Sequence, residues 1–280
     1  FQATLDLLSN AHLEIEKTEI ELHRIDKIMS QRTLAQSGNF TYKKSTSLPS
    51  RGEIASNIID THDEQNNMIQ TIQKAIQQQQ YTSLLQRFGP GPYFVEFCIV
   101  VDGRRKYFMV ETASSEEMPH SIYYFLDKVD NRLWDNKIFF HHWDHVVQAG
   151  MFSPEGEDMS SQFESPLAFP EYSSSFPHVA YTLGFPGRPG GPEFYINFDD
   201  NSDIHGPGQQ DESEIFNDAD PCFAKVIHGE AVIDLLEKFS HGVENAGDDE
   251  VMFSVIETAR LMKKEGDKFY SHHGVPTPFN

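Results

Sequence analysis

The sequence contains only two cysteines, Cys98 and Cys222, among its 280 residues. Two cysteines cannot build the framework of disulfides that holds a small secreted scaffold together, so an apolar core has to hold this fold. Both cysteines lie in or beside apolar, strand-like runs. We therefore expect two buried free thiols rather than a disulfide.

Positive charge is also scarce. The chain has 22 Lys and Arg against 43 Asp and Glu, which gives a formal net charge of −21. Such a surface repels nucleic-acid phosphates and anionic lipid headgroups, so neither is an expected partner. No apolar run in the sequence is long enough to span a bilayer. The length suffices for one sizeable core and an accessory region.

The start of the chain and one sequon bear on the compartment. The chain begins at Phe1 rather than Met, so we expect a processed or partial N-terminus with any leader or membrane anchor upstream. The sequon Asn39-Phe40-Thr41 makes Asn39 a candidate glycosylation site. These features favour the secretory lumen or a membrane-anchored protein, with another organelle or the cytoplasm as the alternative.

The first 88 residues carry helical patterns. Apolar residues recur every seven positions between Phe1 and Met29, as in a coiled coil or a helical hairpin. Residues 37–51 are rich in Ser, Thr, Lys, Gly and Pro and predict a linker, after which a second helical pattern follows. Residues 1–88 are therefore predicted to form a helical stem. It could mediate an oligomer, bind an assembly partner, or pack on the same protein.

Strand patterns dominate the second region, residues 89–280, which begins with Gly89-Pro90-Gly91-Pro92. An Asp102-Gly103 turn between two β-branched and aromatic runs predicts a hairpin. Further strands are predicted at residues 139–148, 178–183, 193–198, 223–228 and 252–260, and helices at residues 115–129 and 229–239. The region is predicted to be one mostly-β domain with flanking helices.

Five blocks of this region resemble the cyclophilin family. The stretch Phe139-Phe140-His141-His142-Trp143-Asp144-His145-Val146-Val147-Gln148-Ala149-Gly150 is similar to the family signature, which runs from Phe-His-Arg to Gln-Gly-Gly. The blocks Tyr93–Glu111, Trp134–Phe139, Glu193–Ile196 and Cys222–Gly229 resemble other family segments in the same order. The resemblance covers roughly residues 93–262. It implies a closed eight-stranded antiparallel barrel with a helix capping each end, together with peptidyl-prolyl cis-trans isomerase chemistry.

The resemblance also implies site positions. The catalytic arginine of the family falls on His141, or on His142 if the gap is drawn differently, and its backbone-holding glutamine is kept as Gln148. Tyr195 takes the place of the phenylalanine that floors the proline pocket. The remaining positions implied to bind substrate are Glu193 for a glutamine, Phe185 for an alanine, and Ile215 or Phe216 for the pocket tryptophan. The family's site histidine falls near Asp220.

Replacement of the arginine bears directly on activity. Rotation about the bond before proline must break amide resonance, a barrier of roughly 20 kcal/mol. The family's arginine donates hydrogen bonds that favour the twisted transition state, with a charge that histidine mostly lacks near neutral pH. Loss of such a donor typically costs on the order of 3 kcal/mol, about a hundredfold in rate. A weak or inactive enzyme is therefore expected.

A metal site is the competing interpretation of His141, His142 and His145. Adjacent strand residues point to opposite faces, so three ligands would require a bend, and we predict no metal here. The glycine-rich loop at residues 186–192 lacks the lysine and helix of a phosphate-binding loop. The acidic loops lack EF-hand spacing. No cofactor is predicted.

These inferences favour a divergent cyclophilin-like protein, a pseudoenzyme that binds or scaffolds proteins, including proline-containing segments. The first alternative is an active isomerase with a remodelled site that assists protein folding. The second is a purely structural subunit in which the helices do the work and the barrel is a spacer. The identity of the partner and the oligomeric state do not follow from the sequence.

Overall fold

The computed structural model describes residues 51–159, 167–187, 190–208, 219–243, 254–271 and 278–279. Side chains are described for all of these except residues 51–65, 141–142 and 239–243. The first predicted stem helix, the linker with Asn39, and Ile215 with Phe216 lie outside the described residues.

The chain divides into two compact units, Phe1–Ile76 and Gln77–Asn280. The second helical pattern forms helix α1 (Arg51–Phe88), which contains this boundary. The helix ends because Gly89 adopts a left-handed φ of 80° and donates its N–H to the Leu85 carbonyl. None of the helices in the described ranges is both long and apolar enough to cross a membrane.

The second unit is built around a closed antiparallel barrel. Its described strands are β1 (Phe94–Val101), β2 (Arg104–Thr112), β3 (Lys137–His142), β4 (Val146–Ala149), β5 (Thr182–Gly184), β6 (Phe194–Asn197), β7 (Cys222–His228), β8 (Ser254–Glu265) and β9 (Lys268–Ser271). Eight of them follow the order β1-β2-β7-β5-β6-β4-β3-β8, and a pairing of β1 with β8 closes the ring. The ninth, β9, pairs with β8 outside the ring. The predicted eight-stranded barrel is confirmed.

In the described part of this unit, three further helices accompany the barrel: α2 (Pro119–Asp130), α3 (Ser202–His205) and α4 (Glu230–Val243). Helix α2 buries Ile122, Phe125 and Leu126 in the core, and α4 contributes Ile233 and Leu236. Both helices match the predicted capping helices. The short helix α3 lies in a stretch that the sequence patterns left without structure.

Aromatic rings fill the barrel interior. The side chain of Phe194 on β6 lies at the centre, with ring centroids 4.8 Å from Trp134 and 5.7 Å from Phe97. Phe97 in turn stacks on Phe108 of the neighbouring strand at 4.8 Å. All four side chains are fully buried. Strand residues alternate between faces, so the neighbours of Phe194 along β6 point out of the barrel.

Three strand predictions differ from the structure. The single strand predicted over residues 139–148 is two antiparallel strands, β3 and β4, because the chain turns between them where the Trp143 N–H bonds the Val146 carbonyl. The segment predicted as a strand from His178 reaches strand geometry only at Thr182, because the His178 carbonyl accepts the N–H of Asn201 instead of a ladder partner. The final strand extends to Glu265 and turns back at Gly266 into β9. The polar residues of this hairpin are typical of a solvated sheet edge, so the hydrophobic pattern did not predict it.

Both cysteines are buried free thiols, as predicted. Burial raises the pKa of the Cys98 thiol to about 11 and that of Cys222 to about 12. Near neutral pH both thiols are therefore protonated and poorly nucleophilic.

A buried carboxylate caps the N-terminus of helix α2. Glu171 is 4% exposed, and its carboxylate accepts the backbone N–H groups of Ser121 at 2.7 Å and His120 at 3.2 Å. It also accepts a hydrogen bond from the amide of Gln77 at 2.9 Å. The residue preceding the helix, Met118, has no side chain that could cap it. Glu171 thus supplies from a distant loop the acceptor that these helix N–H groups need.

We predict that Glu171→Ala lowers the free energy of unfolding by about 3 kcal/mol, because it leaves two buried backbone donors without their acceptor. Urea denaturation followed by circular dichroism measures the change. The matched control is Glu155→Ala on an exposed loop, which should change stability by less than about 0.5 kcal/mol. Equal effects of the two variants would contradict the capping role.

The same carboxylate makes the free energy of unfolding depend on pH, in a direction that its pKa shift determines. Burial raises the pKa of Glu171 above its ordinary value of 4.5, despite the opposing hydrogen bonds. The folded state therefore binds the proton more tightly than the unfolded chain. The stability from this group is fully present below pH 4.5 and declines as pH rises through the folded pKa. The stability gap between wild type and Glu171→Ala should accordingly narrow with rising pH; a widening gap would contradict this sign.

Candidate functional site

Strand pairing brings three predicted site positions into one row. His141 of β3 is paired with Gln148 of β4, and Gln148 is paired with Tyr195 of β6. Tyr195 is paired in turn with Gly184 of β5. Directly paired residues of antiparallel strands project to the same face of a sheet. Tyr195, Gln148 and Gly184 lie on the outward face, because Phe194 and Ile196 on either side of Tyr195 point into the core.

The ring of Tyr195 lies across the backbone of Gly184. A Cβ atom at position 184 would clash with the phenol ring and its hydroxyl. Glycine at position 184 therefore leaves room for the Tyr195 ring to pack on the neighbouring strand. Tyr195 is 1% exposed, so its ring offers almost no surface to solvent.

The Tyr195 hydroxyl has a defined partner. It donates to Nδ1 of His178 over 3.2 Å, while Nε2 of His178 donates to the backbone carbonyl of Asp220 over 3.0 Å. A carbonyl oxygen only accepts, so Nε2 carries the proton and Nδ1 is the acceptor. His178 is 1% exposed. This arrangement satisfies the buried phenol, which a polar ring at the floor of an apolar pocket would require.

A second histidine covers the tyrosine ring. His205, at the end of α3, stacks on Tyr195 with centroids 4.6 Å apart and planes inclined by 26°. Its Nδ1 lies 2.8 Å from the carboxylate of Asp220. Asp220 is fully buried and His205 is 7% exposed. In the described structure, the volume over Tyr195 is thus occupied by the protein's own imidazole.

Side-chain amides hold α3 in this place. The Asn201 amide donates to the backbone carbonyl of His145 over 2.9 Å and to the Asn197 side chain over 2.7 Å. Asn197 in turn donates to the hydroxyl of Thr182 over 3.0 Å. Two backbone bonds add to this, Asn201 N–H to the His178 carbonyl and Asp220 N–H to the His205 carbonyl. The cover over Tyr195 is therefore attached to His145 in the turn before β4, to β5 and to β6.

The other predicted substrate-binding residues lie in different surroundings. Gln148 is 7% exposed, and Glu193, two residues before Tyr195, is half-buried. Phe185 is fully buried in the barrel core, where its ring stacks on Phe223 at 4.1 Å and meets Tyr124 edge-on. The structure leaves Phe185 no surface that a substrate could touch. Asp220, near which the resemblance places the family's site histidine, is the partner of His205.

A run of stacked rings connects the covered site to the surface. His145 stacks on His205 with centroids 5.5 Å apart, and Trp143 stacks on His145 at 6.3 Å. Burial and the neighbouring His205 lower the pKa of His145, against the opposing effect of Asp144. Across the described ranges, no three His, Cys, Asp or Glu side chains are placed to hold a metal ion. The side chains of His141 and His142 are not among those described.

Sequence reasoning missed His178 and His205. Both lie in irregular or very short elements, where no periodicity marks a residue as buried. Their contacts with Asp220 join positions far apart in the chain. One signal was present: Tyr195 stands where the resemblance places a phenylalanine, and a buried tyrosine hydroxyl needs a hydrogen-bond partner.

Comparison with known proteins gives structural likeness at low sequence identity. No family model matches the chain, and no curated protein matches it. A cyclophilin-type peptidyl-prolyl cis-trans isomerase of Cryptosporidium parvum is similar with a TM-score of 0.44 and 13% identity, over 62% of this chain and 99% of that one. A second structure of that protein was determined in the presence of the dipeptide Ala-Pro.

Two further cyclophilins are similar to the chain. The Mimivirus cyclophilin has a TM-score of 0.42 and 16% identity, over 61% of this chain and 90% of that one. A cyclophilin from Hirschia baltica has a TM-score of 0.41 and 11% identity, over 66% and 81%. The predicted closed eight-stranded barrel is confirmed by the strand pairings of this chain itself.

We predict that His205 and Asp220 are strongly coupled. Removing one partner of a buried pair leaves the other without compensation, so His205→Ala alone should lower the free energy of unfolding by about 3 kcal/mol. Combining it with Asp220→Asn should cost clearly less than the sum of the two single changes. Denaturant unfolding of the four proteins measures this coupling.

The exposed pair Arg87 and Asp130 is the control for this cycle. Their side chains are 33% and 50% exposed. Substitution of both by Ala should show a coupling below about 1 kcal/mol. Additive effects of His205→Ala and Asp220→Asn would show that the pair does not hold the cover in place.

Proposed function

We propose that the barrel is a protein-binding domain whose peptidyl-prolyl isomerase activity is weak or absent. The observation that carries this proposal is the burial of Tyr195. A prolyl ring would have to rest on this side chain, yet Tyr195 is 1% exposed and the ring of His205 stacks on it. Binding there would first require displacement of an imidazole paired with a buried carboxylate, which is costly.

The position of the catalytic arginine supports the same proposal. His141 stands opposite Gln148 in the strand register, where the family resemblance places the arginine. A histidine lacks the permanent charge and the forked donors of arginine. Two requirements of the reaction are therefore compromised independently: access to the floor of the pocket and the donor that stabilises the twisted amide.

Without catalysis, the function that we propose for this domain is protein binding. The Cryptosporidium parvum cyclophilin, to which the fold is similar, was studied with a proline-containing dipeptide. We propose proline-containing proteins as the partner class for this chain as well, bound at the surface rather than in a pocket over Tyr195. The alternative of an active, remodelled isomerase requires α3 to leave Tyr195, which the Asn201 and Asp220 contacts oppose.

We predict a value of kcat/KM at least about a hundredfold below that of the Cryptosporidium parvum cyclophilin in the same assay, because the transition-state donor is lost. The measurement is cis-trans isomerisation of a proline-containing tetrapeptide at high protein concentration. His141→Arg should recover less than a tenth of the deficit, since Tyr195 stays covered. A wild-type rate near that of the reference cyclophilin would refute the proposal.

A further inference from the structure

One tryptophan and one isoleucine stand exposed beside the covered site. Trp143, in the turn between β3 and β4, is 46% exposed, and Ile204 in α3 is 42% exposed. The chain has two tryptophans, and the other, Trp134, is fully buried in the core. Large apolar side chains with this exposure mark contact surfaces when they occur together.

The segments that carry these two residues are joined by hydrogen bonds. The backbone carbonyl of His145, two residues after Trp143, accepts hydrogen bonds from the Phe198 N–H and from the Asn201 side chain, both at 2.9 Å. The rings of Trp143, His145 and His205 stack in sequence. The β3–β4 turn and the segment that carries Ile204 are thus fixed to each other. We call residues 143–145 together with 199–204 the Trp143 face.

The Trp143 face is strongly acidic. Segments 139–149, 178–185 and 193–208, which surround it, contain no Lys or Arg. Their carboxylates are Asp144, Glu193, Asp199, Asp200 and Asp203, and all but the half-buried Glu193 are exposed. Hydrogen bonds from Ser202 lower the pKa of Asp200, so this group stays ionised near neutral pH. The local field therefore attracts cations beyond the effect of the overall charge of −21.

We propose that the Trp143 face docks an arginine-containing, basic segment of a partner protein. A guanidinium group is planar and weakly hydrated, so it can stack on the indole ring while its N–H groups reach carboxylates. Ile204 offers an apolar contact to the aliphatic part of the same segment. Charge complementarity selects this occupant over an acidic or neutral chain.

This inference rests on the proposed function, because it names the partner of a protein-binding domain. It also moves the contact away from the row containing Tyr195 and Gln148 to the rim formed by the β3–β4 turn and α3. Nucleic acids and anionic lipids are repelled by the same carboxylates. A basic protein segment is the partner whose chemistry fits both the indole and the charge.

The two tryptophans make the test direct. Acrylamide should quench Trp143 and leave the buried Trp134 largely protected, so tryptophan fluorescence reports on the face. The probe is an eight-residue peptide of alternating Arg and Ser, compared with Lys-Ser and Glu-Ser peptides of equal length and with spermine. We expect the Arg-Ser peptide to shield Trp143 from acrylamide, with weaker binding at higher salt and no effect of the Glu-Ser peptide.

Variants are measured with the labelled Arg-Ser peptide by fluorescence anisotropy. Trp143→Ala should weaken binding about tenfold, through loss of the stacking surface. Asp199→Asn with Asp203→Asn should weaken binding and flatten its salt dependence. The control Asp267→Asn removes an exposed carboxylate at the β8–β9 turn, outside the face, and should leave binding unchanged. Circular dichroism confirms that each variant is folded.

Several results would overturn the inference. They are equal binding to wild type and Trp143→Ala, absence of binding at millimolar peptide, or equal shielding by spermine and the Arg-Ser peptide. If the peptide does not bind while isomerase activity is also absent, the inference fails and the proposed function stands. If isomerase activity is high, the proposed function fails whatever the peptide does.

Discussion

The buried contact between His205 and Asp220 determines what the outer face of the barrel can do. The pair fixes α3 above Tyr195, and the imidazole of His205 stacks on the phenol at 4.6 Å. The phenol in turn lies on Gly184, where no side chain stands in its way. The Tyr195 ring packs on Gly184 and the His205 ring packs on Tyr195, so the cover over Tyr195 is a packed part of the fold. The Tyr195 ring is therefore almost inaccessible to solvent.

The core and the covered site use opposite faces of the same strands, so their residues are constrained separately. Along β6, Phe194 and Ile196 point into the core, whereas Tyr195 and Asn197 point outward into the polar network. Core packing constrains the first set through volume and burial. The second set is constrained only by its hydrogen bonds and can be replaced as a group. A barrel of this kind therefore holds different outer surfaces on the same interior.

Sequence reasoning succeeded where the determinants are local. The turn at Asp102-Gly103 predicted the β1–β2 hairpin, and the resemblance to the cyclophilins implied the closed barrel. It failed where long-range contacts decide. Nothing near His205 in the sequence reveals that it folds onto Tyr195, and Phe185, predicted to bind substrate, instead stacks on Phe223 in the core. Such contacts depend on which loops lie close together in the fold. Hydrophobic patterns of period 2 or 3.6 do not carry this information.

The most direct test of this account is whether a proline ligand can reach Tyr195 at all. The measurement is an NMR titration of isotope-labelled protein with the dipeptide Ala-Pro, following the amide signals of Gln148, Gly184 and Tyr195 and the contacts between the His205 and Tyr195 rings. The account predicts that, at millimolar dipeptide, these three amide signals do not move and the ring contacts persist. Saturable shifts at all three amides, with loss of the ring contacts, would contradict it.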